Sequence, residues 1–155
     1  MPDPSGSTVR KAFLLEAFLN LLSFPLLTNT RGTLSFLLRD PGEINDSTVL
    51  FARLFGGVII GGLTTALIYG ARHIPSRRNT YWTLGMGEVL LIPILALEAS
   101  KQKGALSTRA AIGSIGLLLP PLLWRIFVLY VRPEMIGNER ASKKNEREPL
   151  IREEE

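Results

Sequence analysis

The stretch that decides the fold runs from Thr48 to Ala71 and reads TVLFARLFGGVIIGGLTTALIYGA. Its single charge, Arg53, stands near the start. A helix rises about 1.5 Å per residue, so a stretch of this length crosses the roughly 30 Å apolar core of a bilayer. Working outward, three more windows have the same character. Thr108 to Val131 carries one charge, Arg125, within the apolar run that follows Arg109; Thr80 to Ala99 carries Glu88 and Glu98; and Ala12 to Thr28 is the shortest, with Glu16, Asn20 and Pro25 inside it. The sequence therefore predicts an all-α, integral membrane four-helix bundle with spans at about 12–28, 48–71, 80–99 and 108–131. An N-terminal segment, 1–11, precedes it and a disordered tail, 132–155, follows.

The composition agrees with that layout. Of 155 residues 46% are hydrophobic and 21% charged, with a mean hydropathy of only +0.19, because the charges crowd into tails and short loops. This distribution argues against an ordinary soluble domain, a disulfide scaffold or a disordered chain. There is no Cys and one His, His73. Thiol chemistry and a His-rich metal site are thereby excluded, and no motif calls for a cofactor. Arg10 and Lys11 ahead of the first apolar run resemble a secretory signal, but Glu16 and Asn20 interrupt the run, so it reads as an uncleaved span.

Orientation follows from Lys and Arg in the flanks. One side holds Arg10 and Lys11, then Arg72, Arg77 and Arg78, then six in the tail, eleven in all. The other side holds Arg31, Arg39, Lys101, Lys103 and Arg109. This places both termini in the cytosol. The stretch RHIPSRR, Arg72 to Arg78, reads as a short loop that sets topology and meets lipid headgroups. The basic charge thus needs no nucleic acid, for which no recognition motif appears. Between the first two spans, Gly32 to Arg39 is expected to lie in the headgroup region with Leu34, Phe36 and Leu37 dipped inward, and Asp40 to Asp46 reads as turns.

Ionisable residues at membrane depth are costly and mark candidate sites. Counted from the cytosolic boundary, Glu88 lies about 12 Å deep, Arg125 about 9 Å and Glu16 about 6 Å, with Asn20 one turn deeper than Glu16. The sequence predicts that these four form an intramembrane polar cluster. Near the opposite boundary Arg53 and Glu98 form a second candidate pair. Each set reads either as interhelical glue or as a working site for a substrate or proton. In the second span Gly57 and Gly61 form a GxxxG, read as intramolecular helix packing, with a seam to a second copy or a membrane protein partner as the alternative. Pro93 and Pro120-Pro121 mark bends that would leave room for a hydrophobic small molecule. Tyr69, Tyr81, Trp82, Trp124 and Tyr130 read as an interfacial aromatic belt.

The tail holds six Lys/Arg and seven Glu after Val131. Within it, Glu146-Arg147-Glu148-Pro149-Leu150-Ile151 resembles an acidic dileucine sorting signal. The resemblance implies a sorting adaptor bound through Glu146, Leu150 and Ile151, and delivery to a vacuole or lysosome-like membrane. The Arg53-Leu54-Phe55-Gly56 core of the second span resembles small DoxX-like four-helix membrane proteins. That resemblance implies architecture alone and transfers no catalytic residue. By function, the chain reads as a small transporter or carrier, or as a lipid-contacting accessory protein. The alternative is a membrane-embedded isomerase or cyclase using Glu16 or Glu88 as proton donor.

Overall fold

The four apolar stretches each lie within a long helix. The computed structural model of the protein describes residues 6–137 and is all-α. The helices are α1 (Ser7–Thr28), α2 (Thr30–Leu37), α3 (Asp46–Arg72), α4 (Ile74–Ser100) and α5 (Thr108–Val131). All but α2 are long and apolar enough to cross a membrane. Among the described residues the only strand-like pairing is a single antiparallel bridge between Leu38 and Leu106.

Local chemistry sets the helix starts. Before α3, the Asn45 side chain accepts from Thr48 N at 3.0 Å and Thr48 Oγ1 accepts from Asn45 N at 3.4 Å, a reciprocal cap on two orphan donors. Ser107 caps α5 by accepting from Ala110 N at 3.2 Å. The expected turns at Asp40 to Asp46 form around Pro41–Glu43, where Asp40 accepts from Gly42 N at 2.8 Å. The expected span 108–131 matches α5, whereas α1 starts at Ser7 rather than residue 12 and α4 at Ile74 rather than residue 80. The RHIPSRR stretch is therefore not a loop. Pro75 sits in the first turn of α4, where a missing N–H costs nothing, and only His73 separates α3 from α4.

One other expectation shifts. Residues 132–137 are not a loose beginning of the tail: Pro133–Ile136 forms a tight turn, and Met135 and Ile136 pack on the core because they are apolar. The expected sorting residues Glu146, Leu150 and Ile151 lie outside the described residues. In α2, Leu34 is buried while Phe36 is 80% exposed, since a helix sends residues two apart to different faces. The helical turns widen to i→i+5 at Val58–Leu63 and Phe127–Val131, away from Pro93 and Pro120-Pro121, which stand inside continuous helix.

The core lies toward one end of the bundle, where α1 and α4 begin and α3 and α5 finish. Val9, Phe13 and Ala17 meet Leu67 and Ala71, Tyr81 and Leu84, and Val128 there. This terminal end is locked by Arg77, described below. At the far end the two long connections are stitched together: Arg39 N donates to Ala105 O at 3.0 Å and Ser107 N to Leu37 O at 2.9 Å. The Arg39 guanidinium adds bonds to Thr108 Oγ1 at 3.0 Å and to Gln102 O.

The glycines of α3 pack differently from the expected pattern. Among the described residues a Cβ at Gly57 or Gly61 would meet nothing within 4 Å, so this pair makes no helix packing there. Gly56 and Gly70 make the close approaches instead: a Cβ there would come to 2.9 Å of Leu26 Cβ and 3.1 Å of Phe13. One residue along a helix turns the face by about 100°, which moves Gly57 off the seam that Gly56 occupies.

Candidate functional site

Along α4 the buried residues recur as Arg77, Tyr81, Leu84 and Glu88, a spacing of four, three and four that defines one inward face. On α1 the buried face is Val9, Phe13 and Ala17, with Glu16 at its edge, and on α5 it includes Ala111, Arg125 and Val128. Glu16, Glu88 and Arg125 thus stand on the same helix faces as the apolar core. The helices bring three of the four expected cluster members together. Arg125 donates through Nη1 to Glu88 Oε1 and through Nη2 to Glu16 Oε2. Asn20 is half-buried on the same side of α1 but makes no hydrogen bond to the other three.

Burial is deep. Glu88 and Arg125 are 7% and 3% exposed, and the Glu16 side chain is 16% exposed at the rim. Two polar atoms, Glu88 Oε2 and Arg125 Nε, are buried without a hydrogen-bond partner among the described residues. The Arg125 stem passes Gly85, where an added Cβ would lie 3.7 Å from its Cδ, so the glycine gives the arginine room to reach α4 and α1.

Tyr81 forms the floor. The sequence placed it in an interfacial belt, but its side chain is fully buried, stacked on Phe13 at 4.5 Å between ring centroids. The Arg125 guanidinium carbon lies 5.8 Å from the Tyr81 ring centroid, a cation–π contact. The Tyr81 hydroxyl accepts from Trp124 Nε1 at 2.9 Å. The signal that finds Tyr81 is its place seven residues before Glu88, on the same helical face.

The second expected pair does not form. Arg53 Nε donates to Thr30 Oγ1 at 3.1 Å, while Glu98 binds Lys101 Nζ and accepts from Ala105 N at 3.0 Å. Each finds a polar partner in its own neighbourhood: Arg53 on the packed start of α2, Glu98 in the loop that follows α4.

Arg77 is the residue whose role sequence reasoning missed. It is 3% exposed and does not face lipid headgroups. Its guanidinium donates to Gly70 O and Ala71 O at 3.1 Å each, to Gly6 O at 3.1 Å and to Ile136 O at 2.7 Å. It thereby satisfies carbonyls that the end of α3 leaves open, where a cation also suits the helix dipole. Among the described residues no group of three or more His, Cys, Asp or Glu side chains could hold a metal ion.

No family model matches the chain, and no curated protein or solved structure matches it. Two carboxyl groups on separate helices share one guanidinium from a third, a joint through which a charge on any one helix acts on the others.

Proposed function

We propose that this chain is a multi-pass integral membrane protein with both termini in the cytosol, working as a small carrier whose polar site is the Glu16–Arg125–Glu88 cluster. The observation that carries the reading is an inverted polarity. Leu22, Phe51, Leu90 and Leu117 are exposed on the four long helices, while Glu88 and Arg125 are buried among them. A soluble monomer rarely exposes so wide an apolar girdle, whereas lipid tails cover one at no cost. The orientation rests on the eleven Lys and Arg on one side against five on the other. A lipid-contacting accessory protein would use the same girdle, but a buried carboxylate oxygen with no partner among the described residues supports a carrier. The likeness of Arg53-Leu54-Phe55-Gly56 to DoxX-like proteins is held as a proposal about architecture alone.

The test is purification in mild detergent, native mass spectrometry of whatever co-elutes, and counterflow of that solute in reconstituted vesicles. Glu88→Gln leaves one carboxylate for one guanidinium, so the variant is expected to fold. Flux is expected to fall at least about tenfold, the loss of one charge-assisted contact. Flux at the wild-type rate in folded Glu88→Gln would sink the carrier reading, and conversion of the solute would replace it with an enzyme.

A further inference from the structure

The cluster is electrically unbalanced. Glu16 and Glu88 face one guanidinium, so with all three ionised it carries one net negative charge in an apolar surrounding. The excess has a location, because Glu88 Oε2 is buried without a hydrogen-bond partner among the described residues while Glu88 Oε1 is held by Arg125. A bare carboxylate oxygen in such a medium is costly, and a neutral carboxyl oxygen in the same place is far less so.

The neighbours do not supply the missing charge. Among the described residues the charged groups grouped with Glu88 are Glu16 from α1 and Arg125 from α5, with the Tyr81 ring of α4 against the Arg125 guanidinium. The α3 charges are engaged or distant: Asp46 pairs with Arg31, Arg53 binds Thr30 and Arg72 sits at the exposed helix end. Arg77 is committed to four backbone carbonyls. A metal cation would ask for a shell of several oxygens, whereas a proton needs one lone pair.

Resting on the carrier reading above, we propose that the Glu16–Arg125–Glu88 cluster binds one exchangeable proton, and that this proton is the ion the carrier couples to its solute. Water at the rim delivers the proton to Glu16, the more exposed carboxylate. Transfer to Glu88 Oε2 leaves Glu16 ionised against Arg125. One O–H bond forms on the carboxylate, one breaks in the donating hydronium, and the cluster becomes neutral.

Two measurements on the purified full-length protein test this. Infrared difference spectra between mildly acidic and mildly alkaline buffer should show a protonated-carboxyl C=O band that disappears in Glu88→Gln. The thermal midpoint should rise as pH falls, by roughly 3–5 °C per unit where the cluster takes up its proton, because only the folded cluster takes up the extra proton. Glu88→Gln should flatten that slope, and Glu16→Gln serves as the second variant should the first fail to fold. A wild-type slope equal to that of both variants, or a midpoint that follows sodium concentration rather than pH, overturns the proposal. A band and slope that persist in a protein with no flux leave the proton site standing and refute the carrier. Flux that is independent of pH, without the band, does the reverse.

Discussion

Arg77 reaches four carbonyl oxygens with one guanidinium, and those oxygens belong to the start of α1, the end of α3 and the turn after α5. A planar fork suits this task, whereas a lysine ammonium is a single point charge with three donors. Arg77→Ala is expected to destabilise the bundle by on the order of 3 kcal/mol, since charge-assisted bonds to buried carbonyls are lost together. Arg77→Lys should recover part of that loss. Gly6→Ala attacks the same clamp from the other side. Gly6 holds φ +64°, and a Cβ there would lie 2.3 Å from Arg77 Nη1 and 2.6 Å from Ile136 O. Thermal midpoints in detergent read all three, and an Arg77→Ala midpoint equal to wild type would deny the clamp its role. A cationic residue in a short connection reads from sequence as a headgroup contact, and nothing local distinguishes Arg77 from Arg78. The difference is positional: Arg77 stands four residues before Tyr81, on the buried face of α4.

At the scale of elements, what was legible depended on how each contact is specified. Glu88, Arg125 and Glu16 were brought together by counting depth along helices, because a rigid rise converts residue number into height. The helix ends were less legible, since α1 and α4 extend past the apolar windows on polar residues that a hydropathy average discards. The Arg53–Glu98 pairing failed for a related reason: equal height does not fix which neighbour lies nearer, and Lys101 is one helical turn from Glu98. The glycine seam failed by a single residue. Gly56→Ala is expected to cost about 1–3 kcal/mol, because its Cβ would strike Leu26 Cβ, which has no freedom to move away. Gly57→Ala should instead gain up to roughly 1 kcal/mol from helix propensity in open space. Equal midpoints for the two variants would contradict this α1–α3 packing. Association lost in Gly57→Leu, with the monomer intact, would give the exposed glycines a second copy or a membrane partner to meet.

At the scale of the molecule, the proposed orientation and the proposed address depend on each other. An adaptor can bind Glu146, Leu150 and Ile151 only if the tail is cytosolic, and the tail itself supplies six of the eleven cationic residues that argue for that side. The absence of cysteine makes the orientation directly measurable, since a single introduced thiol is then the only one to label. Arg78 and Lys103 are exposed at opposite ends of α4, one near its start and one in the loop beyond it. In sealed cells or right-side-out vesicles, Lys103→Cys should react with a membrane-impermeant maleimide and Arg78→Cys only after permeabilisation. The reverse pattern would invert the protein, turn the acidic dileucine-like string away from every cytosolic adaptor and remove the address with it. With the expected pattern, a fluorescent fusion carrying Leu150→Ala and Ile151→Ala should leave the compartment that the wild-type fusion occupies. Identical distributions would refute the signal and leave the orientation standing, because the labelling reads the bundle and the fusion reads the tail.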